Sequence, residues 1–231
     1  STTLSPVSGG TWASNSANAT VNNAGVVTPV SAGTATFTFT DGTTSCSSTT
    51  SAVTINANST ISLSSAVGTD NQTKCTSASI TNITYAIGGG GTGASVTGLP
   101  SGINGSYNAG LFTISGSSTV VGTHNYTVTT SGPCVNSSLS GTITINPNAT
   151  LSLSAGSNTQ TVCNNSAISQ IDYAVGGGAT SASATGLPSG VTGLYNAGVF
   201  SISGTPSVPG VYNYTVTTTG TCTQASLGGT I

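Results

Sequence analysis

Apolar residues recur at every second position over short stretches, and Gly, Pro, Asn or Ser closes each stretch. TYAIGG at 84–89, FTISG at 112–116, NYTVTT at 125–130 and GTITI at 141–145 all follow this rhythm. A period of two belongs to a strand with one face buried, and the flanking residues belong to turns. No ten-residue run carries the spacing of an amphipathic helix. The pattern therefore predicts an all-β chain of many short strands.

The pattern is also written twice. Displaced by 88 residues, the separation of Cys75 and Cys163, residues 75–143 align with 163–231 without a gap and with more than half of the positions identical. Self-similarity at a fixed period marks tandem modules. GLPSGINGSYNAGLFTISGSS at 98–118 returns as GLPSGVTGLYNAGVFSISGTP at 186–206, a stretch that reads as a hairpin. Tyr85 falls on Tyr173, Tyr107 on Tyr195, Phe112 on Phe200, Tyr126 on Tyr214 and Leu139 on Leu227. These positions sit in strand patterns and are expected to form the core, and so are Leu187 and Ile202.

Four cysteines obey the same displacement, Cys75 with Cys163 and Cys134 with Cys222. The simplest pairing joins Cys75 to Cys134 and Cys163 to Cys222, one bond in each module. Closing a loop of about 60 residues stabilises a module by about 4 kcal/mol on the chain-entropy model, less any strain. A metal site is the rival reading. Two sulfurs per module with no nearby His and almost no carboxylate do not complete a tetrahedral shell. Disulfides imply an oxidising, extracytoplasmic compartment. Cys46 lies one repeat length before Cys134 and has no partner in this arithmetic. It reads as the second cysteine of an earlier module that the chain enters part-way, or as a thiol that is free or paired with another chain. Ile231 stands where the other copy continues into TINPN, so both ends read as cut. The expected modules are 1–57, 58–147 and 148–231, joined by short linkers at 56–58 and 147–148 into a semi-rigid rod.

Composition narrows the function. Charged residues are 2% of the 231, against about 25% in ordinary soluble proteins. Asp41, Asp70, Asp172 and Lys74 are the full set. The one histidine, His124, falls on Tyr212 in the sister copy, so no Ser-His-Asp machinery can be shared by the repeats. Asp70 and Asp172 occupy unrelated repeat positions and supply no paired carboxylates for glycoside hydrolysis. Calcium wants several carboxylate oxygens per site, and a Lys-Asn crosslink in every domain needs more than one lysine. No catalytic residue, cofactor or metal is expected. Gly88–Gly91 and Gly176–Gly178 are followed by neither Lys-Ser/Thr nor a helix, so they read as a bulge or wide turn rather than a phosphate loop. One basic residue offers nothing to nucleic acid or to an anionic membrane, and no apolar stretch approaches the length of a bilayer span. Asn-x-Ser/Thr at Asn58, Asn71, Asn125, Asn148 and Asn213 is frequent, as chance dictates in a chain rich in these residues.

GGTWASNSANATVNNAGVVTPVSAGTATFTFTDG, at 9–42, resembles the bacterial group 2 immunoglobulin-like domain through Trp12, residues 19–21, 25–28 and 31–40. Trp12 is then expected to plug the space between two sheets. The later copies resemble immunoglobulin-like repeats with the pattern Leu187, Pro188, Gly190, then Gly198, Ile202, Gly204, Pro206, then Gly210, Tyr212, Tyr214, Val216. The middle copy departs from it at Ser118, Val121 and His124. Strings of such domains ending in TITINPN look like the very long surface adhesins of Bacteroidetes, including type IX-exported gliding adhesins. That resemblance implies a cell-surface, outer-membrane-attached stalk. Its partners would be neighbouring modules of the same chain and, through a binding region, surface glycans or an extracellular substratum. Two alternatives are modules that bind carbohydrate or a solid surface themselves, through Tyr107 and Tyr195, and a self-assembling extracellular filament.

Overall fold

Alternation of apolar and polar residues produces strands throughout the computed structural model, which describes Thr2–Ile231 and holds no helix among those residues. The strands gather around three hydrophobic cores that share no residue.

The first core is enclosed by β1 (Thr2–Thr3), β2 (Gly10–Ser14), β3 (Ala19–Val21), β4 (Val26–Pro29), β5 (Gly33–Ala35), β6 (Phe37–Asp41), β7 (Ser47–Thr49) and β8 (Val53–Ile55). They pair as β1-β4-β3, β2-β6-β7 and β5-β8. Trp12, Ala19, Val27, Ala35 and Phe37 are buried between them. Trp12 stands on β2 with its ring centroid 5.2 Å from that of Phe39, and its indole N–H donates to the Pro6 carbonyl at 2.8 Å. A large ring is thus buried with its single polar atom satisfied.

The second sandwich comprises β9 (Ser59–Leu63), β10 (Asn71–Cys75), β11 (Ile83–Gly89), β12 (Gly93–Thr97), β13 (Ile103–Asn108), β14 (Leu111–Gly116), β15 (Gly122–Ser131) and β16 (Ser138–Asn146). One sheet runs β13-β14-β11-β9 and the other β10-β16-β15-β12. The first edge of the chain switches sheets between β9 and β10, and β10 then runs parallel to β16, with Asn71 opposite Thr142 and Cys75 opposite Asn146. In the third sandwich, β17 (Ala149–Ala155), β18 (Ile171–Gly177), β19 (Ala179–Thr185), β20 (Val191–Asn196), β21 (Val199–Gly204), β22 (Asn213–Gly220) and β23 (Ser226–Thr230) repeat the plan as β17-β18-β21-β20 and β19-β22-β23. Two facing sheets, antiparallel except where the switched edge strand joins, define immunoglobulin-like sandwiches.

In the second and third sandwiches a pair of repeated tyrosines, rather than an internal disulfide, links the two sheets. Tyr85 on β11 and Tyr126 on β15 come from opposite sheets, and their buried hydroxyls are 2.9 Å apart. Tyr126 also donates to the Asp70 carbonyl at 3.1 Å. Tyr173 and Tyr214 repeat the contact at 2.9 Å, and Tyr214 donates to the Asn158 carbonyl at 3.2 Å. In antibody domains the corresponding pair of strands carries the inter-sheet disulfide; here a hydroxyl pair spans the same gap. Space for each ring comes from the glycine opposite it. A Cβ on Gly141 or Gly229 would run into the hydroxyl of Tyr126 or Tyr214.

The hairpin at 186–206 forms as expected, β20 joining β21 through Ala197 and Gly198, both at positive φ. Such a turn matches the twist of the strands it joins. Phe200 and Ile202 are buried, whereas Leu187 and Tyr195 are half-buried against the core. Leu139 and Leu227 depart from expectation: they keep 38% and 37% of their surface exposed. Both share the inward parity of their sheet, opposite Val128 and Val216. However, β10 covers β16 only from Thr142 onward, and β23 is an edge strand, so each leucine lies at an open sheet margin.

Candidate functional site

The residues singled out for chemistry do not converge. Asp41 folds back on its own turn, and its carboxylate accepts from the Thr43 and Thr44 amides at 2.9 and 2.8 Å and from the Thr44 hydroxyl at 2.9 Å. These bonds, led by the Thr44 amide, hold its pKa below the usual carboxylate value. Asp172 is lowered by hydrogen bonds from Ser201 and Gln170. His124 stands on β15, where Nε2 lies 3.1 Å from the Val120 carbonyl oxygen. Tyr107 and Tyr195 are half-buried beside their cores. Among the described residues no three His, Cys, Asp or Glu side chains gather.

What does converge lies between the sandwiches. At the first junction the linker backbone passes directly over the glycine run that ends β11. The Gly90 amide donates to the Asn58 carbonyl at 3.0 Å, and a Cβ on Gly89 or Gly90 would collide with the carbonyl oxygens of Asn58 or Ala57. The second junction repeats this: Gly178 donates to Asn148 at 3.0 Å, and Gly177 and Gly178 leave room for the Asn148 and Pro147 carbonyls. The glycine runs do end a strand in a turn, but the reason for glycine is the close approach of the linker.

The hairpin turn between the last two strands closes over the linker from the other side. Ser59 donates its amide to the Val135 carbonyl at 3.0 Å, and its buried hydroxyl meets that of Thr130. Ser137 donates its hydroxyl to the Ser59 carbonyl at 2.7 Å and its amide to the Thr130 hydroxyl at 2.8 Å. In the third sandwich the Ala149 amide donates to Thr223 at 2.9 Å and the Ala225 amide to the Thr218 hydroxyl at 2.9 Å. Asn58 Oδ1 accepts from the Val135 amide at 3.3 Å, while its counterpart Asn148 Oδ1 is buried without a partner.

The cysteines occupy these junctions, and here the expected pairing is corrected. Cys75 bonds Cys222 of the next sandwich, with Cα atoms 5.5 Å apart, while Cys134, Cys163 and Cys46 are free and exposed. Neither Cys75–Cys134 nor Cys163–Cys222 forms, because the two cysteines of one sandwich stand at opposite poles. Cys75 ends β10 opposite Asn146, where the chain leaves the second sandwich. Cys134 lies in the β15–β16 turn, where the chain enters it, and its thiol donates to the Asn56 carbonyl at 3.5 Å. Cys222 occupies the same place one sandwich later, 3.9 Å from the Asn146 carbonyl oxygen. Equal spacing in the repeat was a true signal, but of equal placement rather than of mutual contact.

The fold is that of tandem immunoglobulin-like domains. It is similar to an I-band fragment of titin, domains I67–I69, at a TM-score of 0.66 and 13% identity, over 99% of this chain and 88% of that one. An E-to-A variant of the same three domains superposes at 0.65 and 14% identity, with the same coverage. At this identity the likeness is one of fold. No protein-family model and no curated protein matches the sequence.

Proposed function

We propose that the chain is a stalk segment of a long cell-surface adhesin. In this reading 1–57, 58–147 and 148–231 are successive modules that hold a binding region away from the cell. The observation that carries it is the junction: linker, glycine run and hairpin turn recur at both junctions, and the Cys75–Cys222 bond joins the second sandwich to the third. The bond supports an oxidising, extracytoplasmic location, and the TITINPN-type repeats support a Bacteroidetes, type IX-exported parent attached at the outer membrane. Neighbouring modules are then the chain's own partners, and surface glycans or a solid substratum are partners of the parent adhesin. A chain with one basic residue has little to offer nucleic acid, and among the described residues no helix is long and apolar enough to cross a membrane.

The second reading, in which the modules bind carbohydrate themselves, is favoured by the half-open rings of Tyr107 and Tyr195 and by Leu194, which is 72% exposed beside Tyr195. A glycan array probed with the 231-residue chain separates the two. The stalk reading expects signal no higher than that of a Tyr107→Ala/Tyr195→Ala variant. Specific binding that this variant abolishes would establish the lectin reading in its place.

A further inference from the structure

We propose that Cys163 is the acceptor half of a further inter-sandwich disulfide. Its occupant is one more module of the same repeat, presenting a hairpin-turn cysteine in the position of Cys222. The complete bond defines the two halves. The acceptor, Cys75, is placed by the parallel register of β10 on β16, which sets it opposite Asn146 at the start of the linker. The donor, Cys222, is carried by the turn between the last two strands of the following sandwich.

Cys163 is the repeat counterpart of the acceptor, and the third sandwich begins the same placement. Thr159 bridges Thr230 in parallel, and the Gln160 amide donates to the Thr230 carbonyl at 3.0 Å. The residues that would continue this register up to Cys163 correspond to Thr144–Asn146, and the chain's last residue, Ile231, corresponds to Ile143.

Cys134 supplies an independent observation. It is a donor by position, holding the linker carbonyl of Asn56 where Cys222 stands beside that of Asn146. Yet it is free, and among the described residues the first sandwich contains counterparts of β11–β16 but none of β10, the acceptor strand. Cys46, in the β6–β7 turn, is again a donor by position. One rule thus accounts for every cysteine: a bond forms where a β10-type acceptor and a turn donor face each other across a linker, and the other thiols are single halves.

Formation is thiol–disulfide exchange with a small-molecule disulfide such as oxidised glutathione. The Cys163 thiolate attacks one sulfur of the oxidant and releases one glutathione thiol. The donor thiolate then attacks the Cys163 sulfur of the mixed disulfide and releases the second. Two protein thiols are oxidised and one glutathione disulfide is reduced to two thiols.

The inference rests on the stacking of sandwiches and not on what the parent protein binds. Its failure would leave the stalk reading standing, and the glycan array would leave the inference untouched. The test extends the full chain by a copy of residues 144–231 placed directly after Ile231, so that the register of the second sandwich continues into the third. After equilibration in a glutathione redox buffer and alkylation, peptides are mapped without reduction. Cys163 is expected to be bonded to the appended counterpart of Cys222 and to alkylate at least tenfold more slowly than in the unextended chain. In the extended chain carrying Cys163→Ser, the appended thiol should alkylate freely while Cys75–Cys222 persists. Alkylation of Cys163 at the same rate in both chains, its pairing with Cys222 of its own sandwich, or protection of the appended thiol without Cys163 would each overturn the inference.

Discussion

Stretching the chain from its two ends is expected to release roughly 500 Å of additional contour length when a reductant is present. The Cys75–Cys222 bond encloses a sequence separation of 147 residues, and a fully extended chain spans about 3.3–3.6 Å per residue. While the bond is intact, tension enters along Thr2–Cys75, crosses the disulfide and leaves through Cys222–Ile231. Most of the second and third cores lies in a closed loop that carries no load. β9, β10 and β23 are in the loaded path, so they are expected to peel away while β11–β15 and β18–β22 stay folded. Bonds inside each sandwich would lock two shorter loops and release roughly 400 Å at the same extension per residue. Single-molecule force spectroscopy with and without dithiothreitol resolves that difference. A release near the smaller figure, or none, contradicts the inter-sandwich bond.

Stability is expected to fall steeply above pH 10, and the hydroxyl pairs are the cause. Burial, acting first, raises the pKa values of Tyr85, Tyr126 and Tyr214 above the ordinary tyrosine value of 10.0, and the partner hydroxyl raises those of Tyr126 and Tyr214 further. The folded state therefore keeps protons that the unfolded state releases. The stabilisation is complete below pH 10 and is lost as pH rises toward the folded-state values, by up to about 1.4 kcal/mol per pH unit for each such tyrosine. Tyr126→Phe leaves the Tyr85 hydroxyl buried without its partner and removes one of the two donors to the Asp70 carbonyl, the Thr142 amide remaining. A loss of about 1–3 kcal/mol at neutral pH follows, with a shallower alkaline slope. Urea titrations of both proteins at pH 7 and pH 11 check both effects. An unchanged slope in the variant would mean that the pair does not govern alkaline unfolding.

The fold was legible in the sequence because its signals are local. Period-two alternation marks Ile83, Tyr85 and Ile87 or Phe200 and Ile202 as inward residues whatever lies across from them, and the repeated text marks the modules. Turn chemistry was legible in the same way, down to the hairpin at 186–206. Leu139 and Leu227 carry the correct parity, but no local pattern tells that the neighbouring strand stops short of them. The junction was illegible for a related reason. Cys75 reaches its partner only because a parallel strand sets it beside Asn146, and parallel pairing between segments about 70 residues apart leaves no mark in either segment. The glycine runs were visible as places that demand glycine. Their cause, a linker carbonyl lying where a Cβ would stand, is a tertiary contact.

The second and third sandwiches are stapled to each other rather than closed on themselves, and a disulfide map of the oxidised 231-residue chain tests that most directly. Proteolysis without reduction, after free thiols are alkylated, should yield one cross-linked peptide joining Cys75 to Cys222, with Cys46, Cys134 and Cys163 carrying the alkyl group. Peptides joining Cys75 to Cys134 and Cys163 to Cys222 would contradict it.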